Sequence, residues 1–320
     1  MHWAGVLIVP VGQQSLALLA LLAGWLAVPP GLAVATLIGA GRAGRAAALT
    51  AASFVPSVGL LLVSPTGAPL TDLLLGQILF GAAVAAAILR RQAGGVDRLE
   101  LRRLLRFAPA GIAIGLLSPI AMVLARARIS DTISWEHVAL VQAVWRANEW
   151  TTAVVAGMLY VHYLPRLGAA AGRQAFNRVL GRAAAVTLVP AALAMLALWL
   201  ILPQAIEWLY RPELAPPRAD AGLLLLGDFL RVVSWVFLYG LYARQAPRAV
   251  TMGEFLSTPL FALLLWFAVR PASLWDVGMA WALAYLAYAV FNGLALRQTL
   301  HESTAGLAPQ RALRRNERAA

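Results

Sequence analysis

The sequence predicts an all-α polytopic membrane protein, and three observations carry that prediction. The 320-residue chain is 61% hydrophobic and 12% charged, against roughly 45–50% apolar and about 25% charged in soluble domains. Its mean hydropathy is +0.75. The chain also divides into nine apolar runs, each near the ~20 residues that a spanning helix needs. Finally, its arginines gather in alternate loops between those runs.

The runs follow in order. The first, 16–41, is broken by Pro29-Pro30-Gly31, so a kinked or partly unwound helix is expected. The next two cover 46–64 and 70–90. Between the first pair lies GAGRAGRAAAL at 39–49. It does not follow a strand, as a dinucleotide-binding loop must, and reads as a tight cytoplasmic turn anchored by Arg. Runs four to nine cover 107–125, 137–163, 180–202, 222–243, 249–269 and 275–297. No soluble domain or large loop interrupts them. Met1 to Gln14 has no basic segment and is followed by a long apolar run, which argues against a signal peptide. The stretch from His301 to Ala320 is polar and Arg-rich, and is expected to be an unstructured tail.

The charge pattern sets the topology. The net charge is +12, and all 26 basic residues are Arg. A high pI fits nucleic acid, but the distribution fits a membrane and gives no reason to expect a nucleic-acid partner. Nineteen arginines lie in one set of alternate loops, five in the other and two inside runs. Cytoplasmic loops accumulate Arg and Lys, so the C-terminus is expected in the cytoplasm. With nine spans the N-terminus would then lie outside.

Polar residues inside the runs mark the candidate site. LLLLGDFLRVVSWVFLYGLYARQA at 223–246 carries Asp228 and Arg231 in an apolar helix. Residues three or four apart share a helix face, which puts Asp228, Arg231, Trp235, Tyr239 and Tyr242 on one stripe. Two readings fit: a buried ion pair locking helices together, or the lining of a water-filled cavity for a polar substrate. Ionisable groups at membrane depth favour the second, and aromatic rings suit sugars. The fifth run repeats the pattern with Gln142, Arg146 and Glu149 on one face, flanked by Trp145 and Trp150. Glu254 falls one turn into the eighth run. Trp281, Tyr285, Tyr288 and Asn292 form a stripe on the ninth, where helix packing is the simpler reading. Polar stripes on separate helices argue for a shared central cavity, as in transporters.

Signs of an enzyme are few. The four His (His2, His137, His162 and His301) have no metal-pair spacing. Neither a nucleophile elbow nor a Walker-type phosphate loop is present, and the chain has no Cys. No cofactor, metal or catalytic residue is expected.

Several blocks resemble a known family. They are SPIAMVLAR at 118–126, ISWEHVALVQAVWRANEW at 133–150 and YLPRL at 163–167. GDFLRVVSWVFLYGLYARQAPRAVTMGEF at 227–255 and AYLAYAVFNGLALR at 284–297 complete the set. Together they are similar to the C-terminal half of Wzx-type flippases for lipid-linked oligosaccharides, within the multidrug/oligosaccharidyl-lipid/polysaccharide (MOP) superfamily. Within that family they resemble the flippases of enterobacterial common antigen synthesis in particular. A weaker likeness extends back to 39–62, and about four fifths of the chain is covered.

The resemblance implies two helical bundles and a cationic central cavity. It implies transfer of an undecaprenyl-pyrophosphate-linked oligosaccharide between leaflets of the bacterial inner membrane by alternating access. On it, Arg126, Glu149, Asp228, Arg231, Arg244 and Glu254 match charged positions of the family, and Trp235, Tyr239 and Tyr288 match aromatic ones. Arg146 departs from the pattern, and pairing with Glu149 would account for it. Polysaccharide polymerase and chain-length proteins are the implied partners, besides the lipid substrate and membrane lipid. The implied domains are 1–105 as the rest of an N-terminal bundle, 106–298 as a C-terminal six-helix bundle, and 299–320 as a cytoplasmic tail. The family has about twelve spans, so the first three are expected to be missing. A drug/cation antiporter, a peptidoglycan-precursor flippase or an inactive truncated fragment remain as alternatives.

Overall fold

The computed structural model describes residues 19, 22–23, 25–39, 42–63, 68–91, 105, 108–209 and 216–317. They are helical almost throughout. Among them seven helices are long and apolar enough to cross a membrane, and the chain is an all-α, multi-pass membrane protein. Large apolar side chains point outward, including Trp150, Val154, Trp208 and Phe267. Such a surface would be an aggregation hazard in water and is the natural one in lipid.

The chain forms two units, Met1–Asp97 and Arg98–Ala320. In the first, α1 covers Val28–Gly39, α2 Ala43–Ala52, α3 Phe54–Val63 and α4 Pro69–Arg91. A turn at Ala27 interrupts the helical path just before Val28-Pro29-Pro30, where two prolines in a row remove two backbone N–H donors. Ser57 Oγ donates to the Leu73 carbonyl at 3.2 Å, tying α3 to α4. Helix α2 begins at Ala43, so most of the turn expected over 39–49 is helix. Of that stretch, Ala40 and Gly41 lie outside the described residues, as does much of the first expected run.

The second unit holds α5 (Ala108–Ile112), α6 (Ser118–Thr132), α7 (Trp135–Met158), α8 (Leu164–Ala169) and α9 (Gly172–Leu209). It continues with α10 (Arg218–Ala243), α11 (Pro247–Phe255), α12 (Thr258–Leu263) and α13 (Leu274–Glu317). Three π-helical turns connect parts of these, at Ala113–Leu117, Leu159–Tyr163 and Leu264–Ala268. Each stands just ahead of a proline: Pro119, Pro165 and Pro271. A proline ring clashes with the carbonyl four residues back. Those carbonyls belong to Gly115, Val161 and Phe267, all inside the π turns. At Pro119 and Pro165 the wider turn relieves the clash and the helix goes on, whereas before Pro271 the helix ends at Ala268.

Several elements differ from their expected bounds. Helix α6 runs on to Thr132, so Arg126 lies on a helix and not in a loop. The eighth run is not one helix but breaks at Leu256–Ser257, where Pro259 would crowd the Phe255 carbonyl. Helix α13 continues to Glu317 where an unstructured tail is expected, since Ala, Leu and Arg favour helix strongly. The 137–163 run is helical, but Gln142, Arg146, Asn148 and Glu149 leave it too polar to count among the seven apolar spans.

Helices α10 and α13 form the main seam of the second unit. Lipid tails are as apolar as Leu, so close packing and polar links hold membrane helices together. Gly227 meets that need: a Cβ there would run into the Trp281 indole. The ring therefore lies directly against α10.

Candidate functional site

Asp228 is the fixed point of the site. It is fully buried on α10 and takes a polar partner from three helices. Asn148 Nδ2 of α7 donates to Oδ2 at 2.8 Å. Trp281 Nε1 of α13 donates to Oδ1 at 3.2 Å. Arg231 Nη2, one turn along α10, pairs with Oδ1 at 3.1 Å. A buried carboxylate is costly unless it is paired and hydrogen-bonded, and here both conditions hold.

Arg231 leads from that anchor to open space. Its guanidinium lies 5.3 Å from the Trp235 ring centre, 5.8 Å from Trp281 and 5.9 Å from Tyr285. These are cation–π distances. Trp281 also packs on Trp145 at 4.6 Å and edge-on to Phe261 at 4.8 Å. Asp228 thus holds the cation from behind while aromatic rings frame it.

Arg231 borders a cavity of about 340 Å³ within the second unit. Arg126, Gln142, Arg146, Glu149 and Trp235 line it as well. Oriented by its hydrogen-bond network, the Gln142 amide oxygen accepts from Arg126 Nε at 2.9 Å and Nη2 at 3.0 Å. Arg146 and Glu149 pair at 2.6 Å with more than half of each side chain exposed. Counting Asp228 behind the wall, three Arg stand against two carboxylates. The site carries excess positive charge.

The expected site residues therefore separate into groups. Arg126, Arg146, Glu149, Arg231 and Trp235 come together on the cavity wall, with Asp228 supporting Arg231. Tyr239 and Tyr242 continue the stripe but pack on each other, ring centres 6.0 Å apart. Glu254 and Tyr288 form a second polar cluster: the Tyr288 hydroxyl donates to Glu254 Oε1 at 2.8 Å. Asn292 is fully buried beside it. The Trp281–Tyr285 pair, read from sequence as packing, in part faces the cavity.

Two contributors escape the sequence reading, Asn148 and Thr152. Both belong to the buried stripe Val141, Val144, Asn148, Thr152 and Val155 of α7. A lone amide in such a stripe signals a polar partner elsewhere, because buried polar groups are nearly always bonded.

Arg244, just beyond α10, lies 4.2 Å from the Phe176 ring centre, and burial lowers its pKa from the ordinary Arg value.

The fold is that of a multi-pass helical membrane protein and is shared with solved MATE transporters. The chain matches an outward-facing multidrug resistance MATE family transporter of the MOP superfamily with a TM-score of 0.68 at 16% identity, over 83% of this chain and 64% of that one. It matches a MATE in the bent conformation with a TM-score of 0.68 at 17% identity, over 91% and 69%. In sequence it is 24% identical over 166 residues to the lipid III flippase of Escherichia coli (strain K12), and likewise to that of Shigella flexneri. That match spans 52% of this chain and 39% of the flippases' length. No family model matches. The similarities fall on transporters and flippases.

Proposed function

We propose that the chain is a flippase for an undecaprenyl-pyrophosphate-linked oligosaccharide, a lipid III or O-antigen unit. The substrate would move from the cytoplasmic to the periplasmic leaflet of the bacterial inner membrane by alternating access. One observation carries the reading: a guanidinium held by a buried carboxylate and framed by aromatic rings at a cationic cavity. Arg keeps its charge when desolvated and matches phosphate geometry. Arg231 takes the pyrophosphate, with Arg126 as the second cation. The part-exposed face of Trp235 stacks against a sugar ring, while the buried Trp281 and Tyr285 rings back the guanidinium. The prenyl tail stays in lipid. Asp228 keeps Arg231 oriented, and the exposed Arg146–Glu149 pair offers both donors and acceptors to hydroxyls. The excess positive charge disfavours the rival reading of an organic-cation exporter.

Complementation in a bacterium lacking its lipid-linked oligosaccharide flippases tests this. Surface glycan is expected with the wild-type chain. Arg231→Ala, at equal membrane level, should reduce it roughly 10- to 100-fold, the worth of a hydrogen bond to a charged group. No glycan from a well-expressed wild-type chain, or normal glycan from the variant, contradicts the proposal.

A further inference from the structure

A second and larger cavity, of about 710 Å³, lies at the Arg-rich end of the second unit. Arg166 of α8 and Arg178 and Arg182 of α9 line it, over a floor that includes Tyr163, Ala170 and Val179. It shares no lining residue with the central cavity. Arg178 and Arg182 are four apart and share a helix face, with Arg166 facing the same space from α8. No acidic residue occurs anywhere from Tyr163 to Arg182. Among the described residues none of these three arginines has an ion-pair partner, and all three are exposed. Three cations around one hollow, with no acidic partner among the described residues, repel one another unless an anion joins them.

The position of the hollow narrows the choice of anion. Helix α9 has 38 residues, about 57 Å at 1.5 Å per residue, against a hydrocarbon core of about 30 Å. Its first turns must therefore stand clear of the hydrocarbon. From Ala183 to Ile206 no residue is charged, so Arg182 marks the edge of the apolar layer. That is the depth of lipid phosphates.

We infer that this cavity is a binding site for the phosphate headgroup of an anionic membrane phospholipid, held by Arg166, Arg178 and Arg182. The planar guanidinium forks bind phosphate oxygens, while the Ala and Val floor meets the glycerol and the first methylenes. Basic pockets between membrane helices bind acidic headgroups in this way. The inference does not depend on the identity of the transported substrate.

The test uses the full chain purified in detergent and stripped of lipid. Native mass spectrometry would follow titration with phosphatidylglycerol, phosphatidylcholine of the same acyl chains, or undecaprenyl pyrophosphate. Phosphatidylglycerol is expected to bind at least tenfold more tightly than phosphatidylcholine. Each single Arg→Gln change should weaken that binding about fivefold. The triple variant R166Q/R178Q/R182Q should abolish the preference while retaining the wild-type melting temperature. Equal binding of the two phospholipids by the wild type overturns the inference without any variant. Undecaprenyl pyrophosphate displacing phosphatidylglycerol, with its binding lost in the triple variant, overturns it in favour of a substrate-docking site.

Discussion

At the scale of single residues, Asp228 has the most to lose. Its two oxygens satisfy Asn148, Trp281 and Arg231 together. Removing one partner of a buried ion pair costs about 3–5 kcal/mol, because the other charge is left uncompensated. Asp228→Ala should therefore lower the melting temperature of the detergent-purified protein strongly. Asp228→Asn, which keeps hydrogen-bonding capacity, should lower it less. Equal melting of both variants and the wild type would show that the pair is not structural. The sequence made the Asp228–Arg231–Trp235 stripe legible, because those residues are neighbours along one helix. It did not make Asn148 legible as their partner, since that contact joins positions 80 residues apart. Nor did it show that Glu254 and Tyr288 stand apart from the cavity, which depends on how α11 and α13 meet.

At the scale of elements, helix ends follow local chemistry. Helix α10 stops in a Schellman arrangement: Ala246 N–H donates to Leu241 O at 3.1 Å and Gln245 N–H to Tyr242 O at 3.0 Å. The motif needs a left-handed residue, usually glycine, and Gln245 fills the place with φ of 54°. A left-handed conformation costs a residue with a side chain about 1 kcal/mol or more. Gln245→Gly should raise stability by about 1 kcal/mol, read as a higher thermal midpoint; a lower one would contradict the account. Apolar run lengths located the spans well because hydrocarbon thickness sets them. The break at Leu256–Ser257 and the three π turns were less legible. They depend on whether a proline's carbonyl clash is met by widening the helix or by ending it, and α9 absorbs Pro190 and Pro203 with neither.

At the scale of the whole molecule, the distribution of Arg makes a topological claim. The loop after α12 is expected outside and the far end of α13 inside. The chain has no cysteine, so single cysteines report cleanly. In intact spheroplasts a membrane-impermeant maleimide should label Ser273→Cys, and should label Gln298→Cys only after permeabilisation. The reverse pattern would invert the orientation and with it the direction of transport. The central claim is that the cationic, aromatic-framed cavity handles a lipid pyrophosphate bearing sugars. The most direct test is the rate at which proteoliposomes carrying the full chain translocate an undecaprenyl-pyrophosphate-linked oligosaccharide, compared with Arg231→Gln. The account predicts measurable transfer by the wild type and a rate lower by roughly 10- to 100-fold in the variant, with both proteins folded. Equal rates, or transfer no faster than in empty liposomes, would contradict it.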